Sequence, residues 1–159
     1  MKFRQRAFYL ILSLILVVCV QNSFALIPSR QAKFITFSNV NATEMTINVT
    51  RGNGSAAIWL VREGAAPNVS GLGDDTDPTG WSANTTFGSG TNIGGSNSYL
   101  VQNGTGTSVT VTGLTANTTY YVMVLEYNVD GSNYDINNNT ATLNPRSKTT
   151  LQQSLGLPT

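Results

Sequence analysis

The chain has 159 residues, of which 40% are hydrophobic and only 11% are charged. It contains no histidine and one cysteine, Cys19, which excludes histidine-based triads, ordinary zinc sites and a fold stapled by disulfides. Three of the nine Lys and Arg residues precede residue 26, so six basic residues face eight acidic ones beyond it, a net charge of −2. We therefore expect neither nucleic acid nor an anionic membrane surface as a partner.

Residues 1–25 have the pattern of a secretory signal peptide. A basic start precedes an apolar run at residues 7–20, and the Ser-Phe-Ala sequence at 23–25 offers small residues for cleavage after position 25. The run has 14 residues, whereas a membrane-spanning helix needs roughly 20, so export is favoured over a permanent anchor. Val18 stands where a lipoprotein signal needs a small residue before Cys19. We expect a secreted or cell-surface protein without membrane insertion after cleavage.

After a short linker at residues 26–32, the predicted elements are strands. No segment repeats apolar residues at helical spacing, whereas several alternate apolar and polar residues between clusters of Gly, Asn and Asp. In residues 45–50, for example, Met, Ile and Val alternate with Thr and Asn. The predicted strands are residues 34–37, 45–50, 58–61, 99–101, 109–112, 120–124 and 140–143. About seven short strands separated by turns predict an all-β sandwich of two sheets.

A long excursion separates the third and fourth predicted strands. Residues 65–98 are rich in Gly, Ser, Asn and Asp, and a structureless loop of that length is unusual in a compact domain, so a long hairpin is expected. Residues 151–159 are polar and show no pattern to bury, which predicts a tail or linker. The predicted domain therefore covers residues 33–150.

The segment from Gly113 to Val124, GLTANTTYYVMV, resembles the fibronectin type III signature, in which a Leu six residues before a Tyr leads into the sixth strand. The resemblance implies that Tyr120 buries its ring in the core while its hydroxyl bonds to backbone upstream. The expected structural residues are Leu114, Tyr120, Val122 and Val124.

Shorter motifs resemble modules of this family from secreted, multi-module surface proteins of Bacteroidetes-type bacteria. They are ITFSNV at 35–40, MTI at 45–47, RGNG at 51–54, REG at 62–64, FGSG at 87–90 and EYN at 126–128. The resemblance implies an immunoglobulin-like sandwich and leaves further modules of the same protein open as partners. Two departures are Val49, where many modules carry a core Trp, and the unusual length of the excursion.

Glu126 is the one acid in a strongly apolar strand, and the alternation of that strand directs it inward. A buried glutamate can serve as a general acid, but one bonded to loop backbone is far commoner. A carboxylate-based hydrolase is therefore a remote alternative. No catalytic residue and no cofactor are expected.

Two acidic groups are weak candidates for calcium, which prefers several oxygen ligands. They are Asp74, Asp75 and Asp77 in the excursion, and Asp130, Asn133 and Asp135 in the last hairpin. Neither group has an established calcium-loop spacing, so solvated turns are the favoured interpretation and no metal is predicted.

Four aromatic residues are candidates for binding a ligand: Trp81, Phe87, Tyr99 and Tyr134. Together with Trp59 they are compatible with a platform on which sugar rings stack. The favoured alternative is that Trp59 lies on a sheet face and the others fasten the excursion to the sandwich.

The leading functional hypothesis is a non-catalytic extracellular module for adhesion, display or spacing. Its partner is an unknown protein or polysaccharide outside the cell. An integrin-type Arg-Gly-Asp loop is absent, because Arg51-Gly52 is followed by Asn53. The alternative function is a carbohydrate-binding module that uses the aromatic residues of the excursion.

Overall fold

The computed structural model describes residues 26–73, 76–130 and 133–154. The strands are β1 (Lys33–Ser38), β2 (Met45–Thr50), β3 (Ala56–Glu63), β4 (Asn92–Ile93), β5 (Ser98–Gly104), β6 (Ser108–Val111), β7 (Thr119–Asp130), β8 (Asn133–Ile136) and β9 (Arg146–Thr149). The predicted signal peptide, residues 1–25, lies outside the described residues. Within the described ranges, no helix is long and apolar enough to cross a bilayer.

The strands form two sheets that pack face to face. The first sheet has the order β1-β2-β6, and the second has the order β4-β5-β3-β7-β8, with β9 also paired to β7. All the strand pairs are antiparallel, and β3 pairs with β7 along its whole length. The predicted all-β sandwich of two sheets is thereby confirmed.

The prediction was wrong for the last strand. Residues 140–143 form a turn, and β7 pairs instead with β8 on one side of that turn and β9 on the other. Leu143 has a φ of 56°, and Pro145 lacks the N–H that strand pairing requires. At this point the side chain of Asn144 takes the place of a backbone partner for β7. Its amide oxygen accepts the N–H of Val124 at 3.1 Å, and its amide nitrogen donates to the Val124 carbonyl at 2.7 Å.

The first core lies between the two sheets. In β2 the odd-numbered residues point inward and are apolar, whereas the even-numbered residues are polar and point outward, as a period of two requires. The core residues between the sheets are Ala32, Ile35, Met45, Ile47, Val49, Ala57, Trp59, Val61, Val101, Val109, Val111, Leu114, Tyr120, Val122 and Val124. This core holds the two sheets together.

A second core covers the outer face of the second sheet. Outward residues of β3 and β7 are apolar here, and residues from the excursion pack against them. Its members are Ile58, Leu60, Leu72, Ile93, Leu100, Met123, Leu125, Tyr127 and Ile136, with Ala56, Val69 and Trp81 at its margin. The excursion is thus a third layer of the domain.

The excursion also reaches the first sheet. The N–H of Phe87 donates to the Thr112 carbonyl, and the N–H of Thr112 donates to the Thr85 carbonyl, both at 2.9 Å. On the other side, the N–H of Asn84 donates to the Leu100 carbonyl of β5. Residues 84–87 therefore bridge the two sheets along one edge and cover backbone groups that an edge strand would otherwise expose.

Candidate functional site

Glu126 is fully buried at the end of the sandwich where the loop after β2 crosses it. Its carboxylate accepts two bonds from the Arg51 guanidinium, at 2.6 and 2.7 Å. It also accepts the N–H groups of Gly52 at 2.7 Å and Gly54 at 3.1 Å. Each carboxylate oxygen therefore receives one guanidinium donor and one backbone donor. This arrangement holds a loop in place and leaves no face of the carboxylate open to a substrate.

Both glycines of that loop are required by close backbone approach. A Cβ at Gly52 would overlap the carbonyl oxygen of Arg30, and one at Gly54 would lie 2.8 Å from the carbonyl oxygen of Tyr127. The side chain of Arg51 is only 14% exposed. The Arg-Gly-Asn-Gly sequence is therefore a buried clasp rather than a free recognition loop.

Residues 26–32, which the sequence indicated as a linker, contact the same end of the sandwich. Asn128 donates to the carbonyl of Leu26 at 2.6 Å, and Asn137 donates to that of Pro28 at 2.8 Å. The side chain of Gln31 accepts the N–H of Glu126 at 2.8 Å and donates to the backbone carbonyls of residues 137 and 139. Hydrogen bonds thus join this segment to β7 and to the chain after β8.

Tyr120 lies fully buried in the first core, and its hydroxyl accepts the N–H of Thr115 at 2.9 Å. Leu114 is buried beside it, and its own N–H donates to the carbonyl of Thr43 at 3.0 Å. Val122 and Val124 follow on the same inner face of β7. This geometry fastens the connection between β6 and β7 to the first core.

Trp59 is fully buried between the sheets, and its indole N–H finds no hydrogen-bond partner among the described residues. It belongs to the first core and takes no part in a surface platform. Trp81 lies half-buried at the margin of the second core. Tyr134 pairs with Val129 across the β7–β8 hairpin, which places it on the same face as Tyr127.

Tyr127 connects the second sheet to the excursion. Its hydroxyl donates to Asn103 at 2.8 Å, and the Asn103 amide donates to the carbonyl of Pro78 at 2.9 Å. Burial raises the pKa of Tyr127 above its ordinary value, Arg51 opposes this shift, and Tyr134 and Asp77 add to it. Burial in the second core therefore favours the neutral form of the Tyr127 hydroxyl.

Phe87 and Tyr99 are the two candidate aromatic residues that meet. Their ring centroids are 5.2 Å apart with an interplanar angle of 82°, and Phe87 also packs edge-on to Tyr120 at 5.0 Å. Both rings border an open groove of about 510 Å³. Its remaining lining residues are Arg62, Glu63, Gly64 and Asn97. Trp81 and Tyr134 are not part of this lining.

The acidic groups give no assembled metal site. Asp74 and Asp75 lie outside the described residues, and Asp77 accepts the N–H and hydroxyl of Thr79 at 2.7 and 2.6 Å, which closes its own turn. Asp135 is buried, and Asp130 pairs with Asn133 through the strand backbone. Within the described ranges no group of three His, Cys, Asp or Glu residues could hold a metal ion.

No family model and no curated protein matches the chain. Solved structures similar to it include a fibronectin type III domain of human collagen XX, with 15% identity and a TM-score of 0.45 over 79% of this chain and 96% of that one. Another is the fourth FNIII domain of a human protein, with 9% identity and a TM-score of 0.49 over 89% and 92%. A redesigned β-sandwich has 17% identity and a TM-score of 0.42 over 81% and 98%.

Sequence reasoning missed the polar half of the groove. Arg62 and Glu63 were noticed only as part of a family motif, and Asn97 was not noticed at all. Arg62 and Glu63 end β3, whereas Asn97 precedes β5 after more than thirty intervening residues. Their proximity follows from the pairing of β3 with β5, which no local pattern in the sequence reveals.

Proposed function

We propose that this chain is a non-catalytic module that is exported and acts outside the cell in adhesion, display or spacing. The observation that carries the proposal is the state of Glu126, the one acid that the sequence indicated as a catalytic candidate. Its two oxygens are occupied by Arg51 and by two backbone N–H groups. A carboxylate with this role stabilises a loop and has no free position for proton transfer.

Because the outer face of the second sheet is covered, we expect a partner to contact the edges and ends of the domain. In many sandwiches the outer sheet faces are available for partners, but here the excursion occupies one of them. The outer face of the first sheet carries small polar residues such as Thr46, Asn48 and Thr110. The groove beside Tyr99 is a concave surface that aromatic and charged residues line together.

Export is proposed from the pattern of residues 1–25. The test is to express the full chain in a bacterial host and measure the intact mass of the protein recovered outside the cytoplasm. We expect a mature chain that begins at Leu26. Recovery of the uncleaved chain in the cytoplasm alone would contradict the proposal.

Carbohydrate binding is a second candidate function, and one observation favours it. Two of the four candidate aromatic residues, Phe87 and Tyr99, lie together in a groove that also contains an acid, a base and an amide. Such a combination of ring and polar groups is typical of small-molecule sites. In this function the excursion supplies part of the binding surface as well as the third layer.

A further inference from the structure

We infer that the groove between the end of β3 and the start of β5 binds a neutral sugar unit of a polysaccharide, with Tyr99 as its aromatic contact and Arg62 and Glu63 as its polar contacts. The inference rests on the proposed non-catalytic function and assigns a ligand class to it. The groove volume of about 510 Å³ lies within the range of roughly 300 to 1,000 Å³ that small-molecule sites occupy.

The aromatic side of the groove is held in place before any ligand arrives. Phe87 packs edge-to-face with both Tyr99 and the fully buried Tyr120, so its position is fixed by the first core. An edge-to-face pair covers at most one face of either ring, and Tyr99 borders the groove with part of its surface exposed. The carbon-bound hydrogens of a pyranose ring form an apolar face of matching size. Tyr99 is half-buried, so this contact would require little ordering.

The polar side of the groove has unused hydrogen-bonding capacity. Arg62 donates one Nη1 bond to the carbonyl of Ala66 at 3.1 Å, and its other guanidinium N–H groups have no hydrogen-bond partner among the described residues. Glu63 is exposed, and its carboxylate accepts no hydrogen bond from the residues that the structure describes. Arg62 and Glu63 do not pair with each other, since the one ion pair of the described residues joins Arg51 to Glu126.

The charges of the groove select a neutral ligand. One guanidinium and one carboxylate cancel, so an acidic sugar would gain from Arg62 but be repelled by Glu63. Sugar hydroxyls can instead donate to the carboxylate or accept from the guanidinium. Asn97, whose side-chain oxygen lies 3.4 Å from the Tyr99 hydroxyl, adds an amide to the rim.

The backbone supports the same conclusion. Arg62 and Glu63 pair with β7, and Val61, just before them, pairs with Tyr99 of β5. The N–H of Gly64 donates to the carbonyl of Thr119 at 2.9 Å. Sites built on paired strands hold their side chains more accurately than sites on free loops. The two walls of the groove therefore have a fixed separation.

The test is calorimetric titration of the purified chain from Leu26 to Thr159 with cellohexaose, xylohexaose, mannohexaose, laminarihexaose and hexagalacturonate. We expect at least one neutral hexasaccharide to bind. Tyr99→Ala should weaken binding about tenfold, because it removes the ring contact. Glu63→Gln should weaken binding about fivefold, because it replaces a charged acceptor with a weaker, neutral one. Tyr134→Ala is the matched aromatic control and should leave binding unchanged.

Glu63→Gln is the deciding variant if Tyr99→Ala fails to fold, because Glu63 is exposed and supports no contact of the core. Binding to none of the neutral hexasaccharides at millimolar concentration would overturn the inference. So would binding to hexagalacturonate alone, or a loss that follows Tyr134→Ala instead of Tyr99→Ala and Glu63→Gln. Chromatography of the same mixtures separates the two proposals: released shorter sugars would overturn the non-catalytic function, whereas absence of binding overturns only the ligand assignment.

Discussion

The two sheets of the sandwich differ in what covers their outer faces. In the first sheet, β2 alternates buried apolar residues with outward Thr and Asn residues. In the second sheet, the central strands β3 and β7 are apolar on both faces, and the excursion packs against the outer one. One sheet therefore contributes to one core and the other contributes to two. The difference shows that the excursion is a structural layer of this domain.

The largest effect is expected at Glu126, on the inner row of β7. Glu126→Ala leaves the guanidinium of Arg51 and two loop N–H groups without their acceptor, so the free energy of unfolding should fall by about 3 to 5 kcal/mol. Urea denaturation measures this change. The control is Glu63→Ala, an exposed glutamate of the same type, which should shift the free energy of unfolding by no more than about 0.5 kcal/mol. Equal effects of the two variants would refute the clasp described above.

The next effect concerns the excursion itself. Leu72→Ala removes a buried side chain of the second core and should cost about 2 to 3 kcal/mol, provided that the third layer unfolds together with the sandwich. The same denaturation experiment applies. Leu26→Ala is the matched control, because Leu26 is 79% exposed, and its effect should lie within about 0.5 kcal/mol. A separate, earlier transition for residues 65–98 would show that the layer is only loosely attached.

A smaller effect is expected in the first core. Tyr120→Phe keeps the ring but removes the acceptor of the Thr115 N–H, so we expect a loss of about 1 to 2 kcal/mol. Tyr121→Phe, one residue further along and half-buried, serves as the control and should change stability by less than about 0.5 kcal/mol. If Tyr120→Phe were equally mild, the hydroxyl would not fasten the β6–β7 connection.

The smallest effect is expected at Tyr127, in the second core. Tyr127→Phe breaks the hydrogen bond to Asn103 and should cost about 0.5 to 1.5 kcal/mol near neutral pH. Because burial raises the pKa of Tyr127, its contribution is complete below the unfolded tyrosine pKa of about 10 and is lost as the pH rises above that value. The stability of the variant should therefore decline less steeply than that of the natural chain between pH 9 and 11, roughly the range in which tyrosine titrates. Parallel slopes would contradict this expectation.

The fold could be predicted where the sequence alternates. Residues 45–50 show the period of two that one-sided burial imposes, and they form β2 as expected. The final strand could not be predicted in this way, because Arg146 to Thr149 form an exposed, polar edge that is defined only by its bonds to β7. Its two charged residues are typical of a protected sheet edge.

A signal for the second core was present in the sequence but was interpreted too narrowly. Ile58-Trp59-Leu60-Val61 and Val122-Met123-Val124-Leu125 are unbroken apolar runs, and such runs indicate strands that are buried on both faces. Reading β7 only through its alternate residues left Met123 and Leu125 without a role. Two covered faces also require a covering segment, and the excursion was the one stretch long enough to supply it.

The candidate site was less predictable than the fold. The four candidate aromatic residues do not form one platform, since Phe87 and Tyr99 meet at the groove while Trp81 and Tyr134 lie elsewhere. This division follows from the hydrogen bonds of residues 84–87 to β5 and to the end of β6. Those bonds join residues distant in sequence and leave no local pattern.

The most direct test of the third layer is the stability of a variant at Leu125, which is fully buried on the outer face of β7. If the excursion covers that face in solution, Leu125→Ala should lower the free energy of unfolding by about 2 to 5 kcal/mol in urea denaturation. Thr110→Ala, on the exposed outer face of the first sheet, should change it by no more than about 0.5 kcal/mol. A loss at Leu125 as small as that at Thr110 would mean that the outer face is open to water, and the three-layer description would be wrong.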